Sequence, residues 1–216
     1  MLLHLIKKDI LLAKAIVIWA MLFIIAIPLF FKTVIPFPAD LLSFLYMVVF
    51  AEIILLQNIS AYEAKSPKAS ALLCAAPYTR RAVVQAKYVF FALLFALCYI
   101  IHTFFSLLID SSHILNLTSV LVVLLCGVLI HGIFVPIEFK FGNVKTRFIF
   151  MITILLFSMW PAIFANFLGG VDFSKIVDSI ASIPIIVTQV TLILLSILFF
   201  LVSMAISIKI FSSKEL

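Results

Sequence analysis

The chain has 216 residues, 66% of them hydrophobic and only 11% charged, with a formal net charge of +6 and a mean hydropathy of +1.37. A soluble domain is roughly 45–50% apolar and about 25% charged, so a water-soluble fold is excluded and lipid must be part of the solvent. Few glycines and no alternating strand pattern argue against an outer-membrane barrel, which leaves an all-α integral membrane protein.

Residues 1–14 carry Leu2, Leu3, Ile6 and Ile10 at helical spacing among Lys7, Lys8, Asp9 and Lys14. That pattern predicts an amphipathic helix lying in the membrane interface. The rival reading is the basic start of a signal peptide. No A-x-A-like cleavage site follows, and the next apolar run ends in Pro28, two phenylalanines and Lys32.

Six apolar runs come next, at 15–31, 41–59, 88–109, 117–139, 148–168 and 183–211. A spanning helix needs about 20 apolar residues, so each run predicts one transmembrane helix. The last is longer than a bilayer requires and is expected to tilt or to extend past the surface. Residues 169–182, just before it, carry Ile176, Val177 and Ile180 at helical spacing, which predicts a short amphipathic helix on the outer leaflet. With no internal repeat and no linker, residues 1–216 read as a single six-span domain.

Lys and Arg sort by loop. Thirteen of the fifteen fall in residues 1–14, 60–87, 140–147 and 209–214, and only Lys32 and Lys175 fall in the alternate loops. The positive-inside rule then places both termini in the cytoplasm of a multi-pass protein in the cell membrane. The same sorting leaves no basic patch for nucleic acid.

No catalytic or metal constellation is visible. Cys74, Cys98 and Cys126 form no even disulfide framework and no metal-binding spacing. The fragment 142–146 (Gly-Asn-Val-Lys-Thr) has the Lys and Thr of a phosphate loop but lacks its first glycine and its Gly-Lys junction. Neither a Ser/His/Asp grouping nor H-E-x-x-H occurs. The chain is therefore expected to bind no nucleotide or other cofactor and to catalyse nothing itself, so any energy comes from a partner or a gradient.

The longest cytoplasmic loop, 61–87, is the informative segment. Ser66-Pro67 can open a short helix, Pro77 ends it, and a second helical stretch from Thr79 runs into the third span. Two readings stand: a helix that receives force from a soluble partner, or a loop whose charges only set topology.

Within the spans Glu52 reads as the sole carboxylate well inside lipid, and a charge there costs on the order of 3 kcal/mol. Glu52 lies seven residues before Ile59 and His131 eight before Phe139. At about 1.5 Å per residue both sit roughly 11 Å from the cytoplasmic ends of their helices. His131 is thus the partner at matching depth, and His102 lies nearer the outer surface. Glu52 is then either neutral or paired with His131 in a structural role, or it lines a substrate cavity. The chain has 23 phenylalanines; Phe91, Phe95, Cys98, His102 and Phe105 share one face of the third span, and Tyr46, Phe50 and Gln57 share one of the second. These are packing or lipid-facing aromatics, or the wall of a cavity suited to amphipathic helices.

Two stretches resemble a known family. Glu63, Ser70, Leu72, Leu73, Ala76-Pro77, Arg80 and Arg81, followed by Val84 and Lys87-Tyr88, look like the coupling loop of ABC-2-type permeases. Pro136-Ile-Glu-Phe-Lys140-Phe-Gly142-Asn-Val-Lys145-Thr-Arg147 is similar to the P-x-x-x-K-F-G-x-x-K-x-R turn of small permeases that export phenol-soluble modulins and antimicrobial peptides. The resemblance covers the whole chain. It implies the transmembrane subunit of a bacterial ABC exporter of the type V layout, pairing with a second permease subunit (a homodimer) above two ABC ATPase subunits. ATP and Mg would sit on the partner. The coupling residues would be Glu63, Lys68, Leu72, Leu73, Pro77, Arg80, Arg81, Lys140, Gly142, Lys145 and Arg147, and the cargo would be amphipathic peptides or other hydrophobic molecules. The alternative is a self-contained secondary transporter or channel, a class that often shows inverted repeats and broken midplane helices. Neither is visible here.

The topology has a direct check. Tags placed between Ser66 and Arg81 are expected to be inaccessible from outside intact cells, and a tag at Ser112 to be reached; external labelling of the first segment reverses the orientation.

Overall fold

The computed structural model describes residues 40–65, 79–109, 115–142 and 184–213, together with scattered positions within 5–30 and 145–153. Among the described residues there are four long helices: α1 (Asp40–Lys65), α2 (Arg80–Ile109), α3 (Leu117–Phe141) and α4 (Ile185–Ser212). All four are long and apolar enough to cross a membrane, and no strand occurs among the described residues. They coincide with the second, third, fourth and sixth runs of the sequence. The interfacial helix 1–14, the first and fifth spans, the helix expected over 68–77 and the outer segment 169–182 lie wholly or largely outside the described residues.

Local chemistry sets the helix limits. Asp40 places a carboxylate in the first turn of α1, where it meets the positive end of the helix dipole. Thr79 caps α2, its Oγ1 accepting from the Ala82 amide at 3.2 Å. Gly142 stops α3 with φ +76° and ψ 172°, a combination open essentially to glycine alone. Its amide donates to the Glu138 carbonyl at 2.9 Å. A hypothetical Cβ there meets nothing, so backbone conformation, not crowding, selects the residue.

Contacts at the two ends order the helices. Ser43, near the start of α1, meets His102, near the end of α2, whereas Ser60, near the end of α1, meets Glu138, near the end of α3. Thus α1 and α2 run antiparallel, and α1 and α3 parallel. Between α3 and α4 the pairs Thr118–Gln189 and Gly132–Ser203 keep a constant offset of 71 residues, so these two also run parallel. Both α1 and α4 pack against α2 and α3. The ends carrying Lys65, Arg80, Gly142 and Lys209 therefore gather at one pole, here termed the basic end.

Helix α4 inverts the pattern of a soluble helix. Its buried residues are Ser196, Ser203, Ser207 and Phe211, while Ile186, Leu194, Ile197, Leu198 and Leu201 face outward. Lipid tails are as apolar as leucine, so helices associate through close packing of small residues and through hydrogen bonds. The apolar core lies instead between α1 and α2, where Phe44, Met47, Val48, Ala86, Leu94 and Cys98 pack with Ile24 and Leu5.

A tight contact between α3 and α4 is organised by a proline. Pro136 lies inside α3 and has no amide hydrogen, which removes the helical bond to the carbonyl of Gly132. Ser203 of α4 supplies the missing donor, its Oγ lying 2.7 Å from the Gly132 oxygen. Glycine eases that approach, since a Cβ on residue 132 would lie 3.2 Å from both Ser203 Cβ and Oγ, tight enough to push the helices slightly apart. The Tyr88 hydroxyl lies 2.7 Å from Ser203 Oγ and 2.9 Å from Ser207 Oγ. With the Ser203 proton on Gly132, the chain runs one way: Ser207 donates to Tyr88, Tyr88 to Ser203, and Ser203 to the carbonyl.

Removing the Ser203 hydroxyl strands a buried carbonyl. Ser203→Ala is expected to destabilise the fold by about 1–3 kcal/mol, and by less in a Pro136→Ala background, where the helix regains its own bond. Unfolding titrations of the four members of this cycle in detergent measure the difference.

Candidate functional site

Two buried polar clusters bridge the helices, one at mid-depth and one near the basic end. In the first, His131 Nδ1 of α3 lies 2.9 Å from Glu52 Oε1 of α1, and both side chains are 1% exposed. The ring of Phe91 stacks on His131 at 4.7 Å between centroids, and Tyr88 meets it edge-on at 4.9 Å. Gly127, one turn away on α3, makes room for Phe91: a Cβ there would sit 3.1 Å from the end of the ring. The depth arithmetic thus named two residues that do touch. One proton shared by the carboxyl and the imidazole leaves the pair without net charge, whichever atom holds it. Glu52 Oε2 and His131 Nε2 have no hydrogen-bond partner among the described residues.

The second cluster was not foreseen. Glu138 is buried in α3, and Lys87 of α2 meets its Oε1 at 2.8 Å. Ser60 of α1 donates to the same oxygen. The Lys87 ammonium also lies 5.0 Å from the centroid of Phe139, a cation–π contact. Glu138 is thus a second buried carboxylate, nearer its helix end than Glu52. Glu138 sits inside the P-x-x-x-K-F-G stretch, whose resemblance to a cytoplasmic turn drew attention past it. Its signal was available: four residues before Gly142, it lies near the same helix ends as Ser60 and Lys87.

The aromatic face of α2 is occupied from within the chain. Phe95 and His102 pack on Phe44 of α1 at 5.6 and 5.2 Å, and His102 Nε2 lies 3.1 Å from Ser43 Oγ. Phe105, half-buried, contacts Phe104 at 5.9 Å. On α1, Tyr46 and Phe50 stack on each other at 5.9 Å, and Gln57 is half-buried with its Nε2 unpaired among the described residues. The cavity candidates divide accordingly: Tyr46, Glu52, Phe91, His102 and His131 are buried, whereas Phe50, Gln57, Phe95 and Phe105 keep exposed surface.

At the basic end Arg81, Lys140 and Lys145 are exposed. Thr146, by contrast, is buried, its hydroxyl donating to the Gly142 carbonyl at 2.7 Å. Glu63 and Arg80 belong to α1 and α2 by backbone. Lys68, Leu72, Leu73, Pro77 and Arg147 lie outside the described residues. No group of three or more metal-binding side chains occurs among the described residues.

A multi-pass helical protein with buried polar joints and one basic pole is the class these features define. Residues 4–212 match the family model described as ABC-2 family transporter protein, and the chain belongs to that family. No curated protein and no solved structure matches it. It is accordingly a transmembrane subunit of an ABC transporter. Permeases of this family are generally non-catalytic and generally work with a separate ABC ATPase.

If the Glu52–His131 pair is structural, its members are unequal. Glu52→Gln keeps a hydrogen-bonding side chain and is expected to lose only about 0.6–1.7 kcal/mol. His131→Leu leaves a lone buried carboxylate and is expected to lose about 3–5 kcal/mol. Folded yield and unfolding midpoints in lipid micelles read both.

Proposed function

We propose that this chain is the permease half of an ATP-driven exporter. Two copies, each with six spans, pair in a bacterial plasma membrane above two ATPase subunits that carry the ATP and Mg. The observation that carries this reading is the family match over residues 4–212, which spans nearly the whole chain. The parallel course of α3 and α4 supports the six-span layout. Gly142 ends α3 at the basic end and Pro184 precedes α4 at the other, so the intervening chain has to cross between the two faces.

The basic end is the face we assign to the cytoplasm and to the ATPase. Exposed Arg81, Lys140 and Lys145 lie within the stretches 63–88 and 136–147 that resemble the coupling loop and the basic turn of such permeases. Positive charge there obeys the positive-inside rule and suits an acidic groove on the partner. A continuous helix from Arg80 to Ile109 would carry a push at that face across the membrane.

The cargo proposed is an amphipathic peptide or a molecule of similar hydrophobic character. The stretch 136–147 supports it, through its likeness to the turn of peptide-exporting permeases. Phe50, Gln57, Phe95 and Phe105 are the candidates that keep surface for such a cargo; the enclosed aromatics serve packing. Mass spectrometry of peptides that co-purify with the complex tests the cargo class.

Reversing charge at the basic end tests the partner. Arg80→Glu with Arg81→Glu is expected to lower ATP hydrolysis by the assembled complex while leaving membrane insertion intact. Unchanged assembly and turnover would reduce the loop to a topology signal.

A further inference from the structure

Ser60, Lys87 and Glu138 come from three different helices and meet at one carboxylate oxygen. Each lies near the end of its helix. Ser60 precedes the close of α1 at Lys65 by about 8 Å, Lys87 follows the start of α2 at Arg80 by about 10 Å, and Glu138 precedes the close of α3 at Phe141 by about 5 Å. The first two helices flank segment 66–79, and the third leads into the Gly142 turn. A single carboxylate therefore ties both sides of one basic loop to the base of the other. The tie is charged and enclosed, with both donors on Oε1, and a charge-assisted bond of this kind is directional.

We infer that Glu138 is a positioning residue that makes the ends of α1, α2 and α3 one mechanical unit, so that displacement of either basic loop moves the other. The inference rests on the proposed coupling role of those loops and adds to it the residue through which they act together. Lys87 supplies the charge, Ser60 the third anchor, and Phe139 the apolar shelf that keeps the ammonium in place. The Glu52–His131 contact, deeper in the bundle, joins α1 to α3 and meets α2 through the rings of Tyr88 and Phe91 alone, not through a charged bond.

The test uses the full chain in lipid vesicles, with Cys74, Cys98 and Cys126 replaced by alanine and spin labels at Thr79→Cys and Lys145→Cys, two exposed positions at the basic end. Electron–electron distance measurements are expected to give one narrow distribution in the parent and a broad one in Glu138→Gln and in Lys87→Met. The Lys87→Glu, Glu138→Lys exchange is expected to restore the narrow form. Only samples of equal folded yield are compared, so simple loss of fold does not imitate the result. Narrow distributions in both single variants overturn the inference, as does failure of the exchange to rescue a correctly folded sample. In complex with the co-purifying ATPase, the single variants are expected to lose hydrolysis per assembled complex by roughly 2–30-fold, the effect of substitutions along coupled networks. Should no ATPase associate even with the parent chain, the exporter reading falls, while the distance measurement still decides the role of Glu138.

Discussion

Hydrocarbon offers no water to complete a broken hydrogen bond, and the carbonyl of Gly132 shows how far that constraint organises this bundle. Pro136 withdraws its intrahelical donor, and the replacement comes from Ser203 on a different helix. For Ser203 to reach, the two backbones must approach closely, and glycine at 132 permits it. Once Ser203 is spent on that carbonyl, Tyr88 of α2 completes its bonding and draws in Ser207. Three helices are thus aligned by one missing amide hydrogen. A local defect in α3 has become the reason that α4 sits where it does.

The same constraint explains the division between apolar and polar contacts. Helices α1 and α2 meet through an apolar core, while α4 is held by hydroxyls and by Phe211 against Tyr88, Val84 and Val135. Burying apolar surface yields little when the alternative solvent is also apolar. Hydrogen bonds and close packing between small side chains carry the association instead. The two buried acid–base pairs sit where three helices converge, so each group is enclosed together with its partner.

Much of this was legible in the residues. Apolar run lengths located the four described spans, and counting residues from helix ends brought Glu52 and His131 to one depth. Depth alone says nothing of lateral distance, which is why the pair stayed one reading among several until the helices were seen side by side. Glu138 was missed because its neighbours resemble a loop motif, although α3 continues through them to Phe141. The serines of α4 were missed for another reason. In a run of isoleucine and leucine they read as interruptions, whereas positions 196, 203 and 207 recur at helical spacing and mark the packed face. The aromatic face of α2 was read correctly as a face, but Phe44 of α1 occupies much of it.

The separation of Glu52 from His131 by 79 residues carries a consequence for biosynthesis. At roughly 5–20 residues per second, the ribosome presents α1 to the membrane some 4–16 seconds before it finishes the residue that answers Glu52. During that interval an acidic helix waits at the insertion machinery with its counterpart unmade. Lys87 waits likewise for Glu138, 51 residues later, and Tyr88 for Ser207, 119 residues later. Assembly therefore closes from the carboxyl-terminal side, and nascent chains truncated before α3 should be preferred substrates of membrane quality-control proteases.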